Sequence, residues 1–96
     1  MKTKVNQKVQ QDFLIEFGKH VKYLRKKQNI TQNELADKCI SDVSKISNIE
    51  QGKYDFRMSS LLIIANGLCI TVEELISFEG INNIKNNILQ SIDNDH

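Results

Sequence analysis

Residues 43–51 read Val-Ser-Lys-Ile-Ser-Asn-Ile-Glu-Gln. Wound as a helix at about 100° per residue, the stretch puts Ile46 and Ile49 on one side. Ser44, Ser47 and Asn48 fall on the opposite side, with Val43 and Lys45 at its rims. Short donors and acceptors, a small apolar group and a cation suit contact with base edges in a major groove. Carboxylates, which would repel phosphates, are missing from this face. Plain solvation of a surface helix would use the same residue types, so the face alone decides nothing.

Enzymatic chemistry finds little support. His20 and His96 are the only histidines, and neither stands near a Cys or an acidic pair at ligand spacing. His20, between Lys19 and Lys22, fits a solvated or phosphate-facing position better than a catalytic one. Cys39 and Cys69 are too far apart in sequence for a zinc motif, and each reads as a small core residue on an apolar helix face. Ser44 and Ser47 have no base partner in sequence, and no Gly-rich phosphate loop or paired-carboxylate site is present. No catalytic residue, metal, cofactor or small-molecule ligand is implied.

Ninety-six residues allow one domain. With 40% hydrophobic and 26% charged residues, no Pro and four Gly, the composition is that of a globular, helix-rich chain. The net charge of +1 hides a division: residues 1–57 sum to +5 and residues 58–96 to −4. One basic half can present a polyanion-binding face on a nearly neutral protein. The longest apolar run, Leu61–Ala65, is far short of a membrane span, and the reading is a cytoplasmic protein with no membrane partner.

Phe13, Phe17, Val21 and Leu24 predict a first amphipathic helix ending near Gln28-Asn29. Residues 1–12 form either an arm or an extension of it, since Val5 and Val9 continue the spacing. Thr31 with Glu34 is a capping box, and Ile30 with Leu35 a hydrophobic staple, opening a short helix that runs to about Cys39. Ser41-Asp42 starts the 43–50 helix and Gly52 stops it. A fourth helix is expected from Ser59 to about Asn66, with Leu61, Leu62, Ala65 and Leu68 inward and Gly67 as its stop. Thr71 caps a fifth. Ile81, Ile84, Ile88 and Ile92, with Leu89 beside them, mark a C-terminal helix of weak intrinsic propensity that needs packing.

From Phe13 to Phe78, about two-thirds of the chain, the sequence resembles the lambda-repressor-like, Cro/Xre-type helix-turn-helix family. The matching residues are Leu24-Arg25, Ile30-Thr31-Gln32, Glu34-Leu35-Ala36, Ile46 through Gly52, Ser60 through Ala65, and Val72 through Leu75. This resemblance implies an all-α fold: a five-helix domain over 13–79 with a C-terminal helix over 80–96. It implies that Gln32 contacts a DNA phosphate and that Val43, Ser44, Ser47 and Asn48 touch bases. Chemically, Val43 can only pack on a thymine methyl, Ser44 is ambiguous, and Asn48 suits a bidentate contact with adenine. Lys45, Lys53 and Arg57 are the expected phosphate clamps, joined by Tyr54 unless that ring is in the core. Arg25 and Glu50 match positions that pair in the family.

One departure concerns the turn, which in the family carries Gly or a small polar residue and then an apolar one. Here it reads Ile40-Ser41, and a β-branched residue at positive φ would be strained. The function implied is a sequence-specific, double-stranded DNA-binding transcriptional regulator, a repressor of phage or mobile-element type acting on an operator as a homodimer. The other reading is an antitoxin or anti-repressor-like protein-interaction module on the same fold. Ile81, Ile84, Ile88, Leu89 and Ile92 either form the dimer contact or pack back on the domain.

Overall fold

The computed structural model describes residues 3–53 and 58–78, with side chains from residues 8 and 59 onward in those two stretches. Five helices follow in chain order: α1 (Thr3–Lys27), α2 (Gln32–Lys38), α3 (Val43–Glu50), α4 (Met58–Leu68) and α5 (Val72–Ile76). No strand occurs among the described residues. Residues 3–12 are helical and continuous with the rest of α1.

The core forms where these helices meet. Phe17 and Val21 of α1, Leu35 and Ala36 of α2, Ile46 and Ile49 of α3, Ile64, Ala65 and Leu68 of α4, Leu75 of α5 and Phe78 are all buried. Phe13, Leu24, Ile30 and Leu61 close its edges. Phe78 lies against Phe13 and Phe17 at ring-centroid distances of 5.9 and 6.3 Å, which ties the end of α5 to α1.

The expected capping box forms at α2, and a second forms at α5. Thr31 Oγ1 accepts from the Glu34 backbone N–H at 3.1 Å while Glu34 Oε1 accepts from the Thr31 N–H at 2.8 Å. Thr71 and Glu74 make the same reciprocal pair at α5. The turn between α2 and α3 is closed from the other side. α1, α2, α3 and α4 all end on one left-handed residue: Asn29 (φ 64°), Ile40 (φ 51°), Gly52 (φ 70°) and Cys69 (φ 59°). Each is held by the paired Schellman bonds; at α2 these run from Ser41 N–H to the Ala36 carbonyl (2.9 Å) and from Ile40 N–H to that of Asp37 (3.1 Å). Only one of the four is glycine.

Several expectations need correction. Gly67 does not stop α4; it is buried inside the helix, pressed against Cys39 Sγ, and Cys69 takes the left-handed position after Leu68. Cys69 is therefore exposed at a helix end rather than in the core, whereas Cys39 is buried. Leu62 is 57% exposed and Ile64 takes the inward place, because a run that is apolar on every side cannot set its own rotation about the helix axis. Asp42 occupies the N-cap of α3 but its carboxylate caps nothing. His20 is half-buried rather than fully solvated: its ring stacks on Tyr23 and lies 5.3 Å from Phe78.

Candidate nucleic-acid interface

The face of α3 is set by its two isoleucines. Ile46 and Ile49 are anchored in the core, so the rest of the helix cannot rotate. Val43, 40% exposed, and Ser44 point outward, and Lys45, Ser47 and Asn48 are half-buried beside them. The structure thus keeps Val43, Ser44, Ser47 and Asn48 together on one helix. Among the described residues no hydrogen bond holds the Asn48 amide or the Ser44 hydroxyl. Both are left free to meet a ligand.

Gln51, which sequence reasoning did not single out, donates from Nε2 to Ser47 Oγ at 2.9 Å. The i, i+4 spacing was the available signal. Lys53 is exposed just after the end of α3. Tyr54, Arg57 and the Ile81, Ile84, Ile88, Leu89 and Ile92 stripe lie outside the described residues.

Beneath this face lies a charged anchor. Arg25 Nε donates to Glu50 Oε2 at 2.7 Å and Arg25 Nη2 to Glu50 Oε1 at 3.1 Å, a bidentate pair. The two side chains are 9% and 3% exposed. Arg25 Nη1 also donates to the Ile30 carbonyl at 2.9 Å, so one guanidinium fastens the end of α1, the entry to α2 and the end of α3. The hydrogen bonds to Glu50 raise the Arg25 pKa further above its ordinary value, against the opposing effect of burial. Gln32, the first residue of α2, donates from Nε2 to Glu50 Oε1 at 3.0 Å.

Other chemistry is sparse. Burial pushes the Cys39 thiol up, only partly offset by the charge of Lys45. Among the described residues no group of three His, Cys, Asp or Glu side chains could hold a metal ion. Nor is any helix there long and apolar enough to cross a membrane.

Five helices with a tight α2–turn–α3 unit, and an outward face of small polar groups on the second of the pair, define a helix-turn-helix domain. The helix-turn-helix family model matches residues 21–75, more than half of the chain. Sequence relatives include the HTH-type transcriptional activator BcrR of Enterococcus faecalis, 35% identical over 65 residues, or 68% of this chain and 32% of the relative. The immunity repressor protein of Bacillus phage phi105 is 32% identical over 62 residues, 65% of this chain and 43% of its own. Among solved structures, the restriction-modification controller protein C.Esp1396I, a tetramer in complex with its natural 35-base-pair operator, superposes with a TM-score of 0.63 at 26% identity, covering 80% of this chain and 95% of that one. The match spans less than half the length of BcrR or the phage repressor. The chain belongs to the Cro/Xre-type helix-turn-helix family of DNA-binding regulators.

Proposed function

We propose that this protein binds a specific double-stranded operator and regulates transcription by occupying it, as a repressor of phage or mobile-element type. The observation that carries the reading is the outward face of α3: Ser44 and Asn48 with free polar groups and no carboxylate among them, on a helix locked by Ile46, Ile49 and the Arg25–Glu50 pair. Val43, Ser44, Ser47 and Asn48 enter the major groove and meet base edges. Gln32, Lys45 and Lys53 take phosphates, with Tyr54 and Arg57 following in the chain. A repressor of phage phi105 and an operator-bound controller among the similar proteins support this reading.

One recognition helix reads too few base pairs to select an operator among a genome's competing sites, so the protein acts as a homodimer on two half-sites. The dimer contact is assigned to Ile81, Ile84, Ile88, Leu89 and Ile92. Selection from a random duplex library tests the function: it should enrich one motif, bound with an affinity that falls steeply as salt rises. Recovery of no motif, with no retention on duplex DNA at low salt, would end the proposal.

A further inference from the structure

Glu50 is buried, yet it does more than balance Arg25. Its carboxylate accepts three hydrogen bonds: two from Arg25, at 2.7 and 3.1 Å, and one from the Gln32 side chain at 3.0 Å. The third bond is the informative one. Gln32 stands at the first position of α2, half-buried, and its long side chain would otherwise be free to turn. A carboxylate accepts only, so the contact settles which end of the amide faces it: the nitrogen, not the oxygen. One of the two Nε2 hydrogens is thereby committed to Glu50, and the amide plane is fixed. The second Nε2 hydrogen has no acceptor among the described residues.

We infer that Glu50 is a positioning residue for DNA binding: held rigid by Arg25, it aims the second Nε2 hydrogen of Gln32 at an operator phosphate. Had Gln32 met a lysine or a backbone N–H instead, its amide would turn its oxygen to that partner and leave its nitrogen unaimed. The acidic partner makes the glutamine a donor toward DNA, although the carboxylate itself never approaches the phosphate. Ordering the amide before DNA arrives also avoids the loss of side-chain freedom that binding would otherwise impose. The pair at the junction of α1, α2 and α3 thus reaches the interface through one side chain. This inference rests on the proposed DNA binding, and specifically on Gln32 facing a phosphate.

A double-mutant cycle on the full chain tests it, using the duplex recovered by selection as the probe. In the parent protein Gln32→Met, close in size and without donors, should weaken binding by about tenfold, the size of one hydrogen bond to a charged group. The dependence of log affinity on log salt should stay unchanged, because a neutral amide displaces no counterion. In the background Arg25→Met with Glu50→Leu, which exchanges the ion pair for apolar packing, Gln32→Met should have little further effect. Glu50→Asp supplies a second background, keeping the charge beside Arg25 while drawing the carboxylate back from Gln32. There too the Gln32→Met penalty should shrink. An equal penalty in the parent and in Glu50→Asp overturns the inference, and so does a parent in which Gln32→Met leaves affinity unchanged. Failure to bind any duplex would instead refute the DNA-binding reading itself.

Discussion

Gly18 of α1 stands directly against the backbone carbonyl oxygen of Ile49 near the end of α3. A Cβ at Gly18 would also come within 2.8 Å of the Glu50 carbonyl oxygen. The obstacle is backbone on both counts, with no flexible side chain to step aside. Gly18→Ala gains helix propensity in α1, but it must push α3 away, and α3 carries the proposed reading face. The expected outcome is a net loss of stability of about 2 kcal/mol, the scale of an overpacked core, measured by denaturant unfolding. Equal or greater stability in the variant would show that the close approach is not rigid.

The turn before α3 predicts the opposite sign. Ile40 holds φ 51° with its side chain 94% exposed, so no burial offsets the left-handed strain of a β-branched residue. Ile40→Gly should stabilise the protein by about 1 kcal/mol, after allowing for glycine's greater freedom in the unfolded chain. In a domain of this size that raises Tm by about 4–8 °C. Gly52, at φ 70° with the Ile15 Cα 2.9 Å from where a Cβ would lie, is the control. Gly52→Ala should lower Tm. A decrease on Ile40→Gly would mean that the exposed isoleucine contributes something the strain argument omits.

The difference between those two positions also shows what the sequence discloses. Thr31 with Glu34 was legible because a capping box is local, three residues wide and chemically explicit, and Thr71 was legible as a cap. Gly52 was legible as a stop for the same reason. Gly67 misled because a glycine has two uses, a left-handed cap or a close approach, and only the fold reveals Cys39 Sγ against it. The left-handed Cys69 carries no composition signal at all, and Ile40 was marked only by its place in the turn that the family resemblance identified. On α3 the outward face followed from helical periodicity around Ile46 and Ile49. The Gln32–Glu50 hydrogen bond did not, since a side-chain contact between two short helices depends on their setting to within an ångström, whereas the Gln51–Ser47 bond had the i, i+4 spacing as its signal.

The Arg25–Glu50 pair should behave as a unit. Replacing either residue by Ala leaves the other charge buried without its partner, at an expected cost of about 3–5 kcal/mol. The double replacement should cost clearly less than the sum of the singles. Chemical denaturation of the four proteins of the cycle measures this, and strictly additive losses would mean that the 2.7 Å contact carries no coupling.

His20 introduces a pH dependence. Burial lowers its pKa from the ordinary value of 6.5, and a hydrogen bond to the Glu74 backbone opposes the shift without cancelling it. Nε2 is buried with no partner among the described residues, so the fold favours the neutral ring. As pH falls below 6.5 the unfolded chain takes up the proton first. This contribution therefore destabilises the fold progressively until the lowered folded pKa is reached, and is constant below it. Thermal melts between pH 7.5 and pH 5 should show a larger drop in Tm for the parent than for His20→Phe. Identical pH profiles would place the ring in a wetter setting than its contacts with Tyr23 and Phe78 indicate.

Asn48 and Lys53 should separate sequence reading from phosphate anchoring. The Asn48 amide has no hydrogen bond among the described residues and lies on the outward side of α3. Lys53 is exposed where the chain leaves that helix. An amide contact with a base edge discriminates one base pair, whereas an ammonium near a phosphate acts alike on every sequence. Asn48→Ala should therefore cost about 1–3 kcal/mol on the selected duplex and flatten the preference at one position. Lys53→Ala should weaken all duplexes by a similar factor and reduce the salt slope by about one. Affinities for a set of singly substituted duplexes at three salt concentrations distinguish the two. If Asn48→Ala left the preference at every position intact, the reading face would have to be moved away from this side of α3.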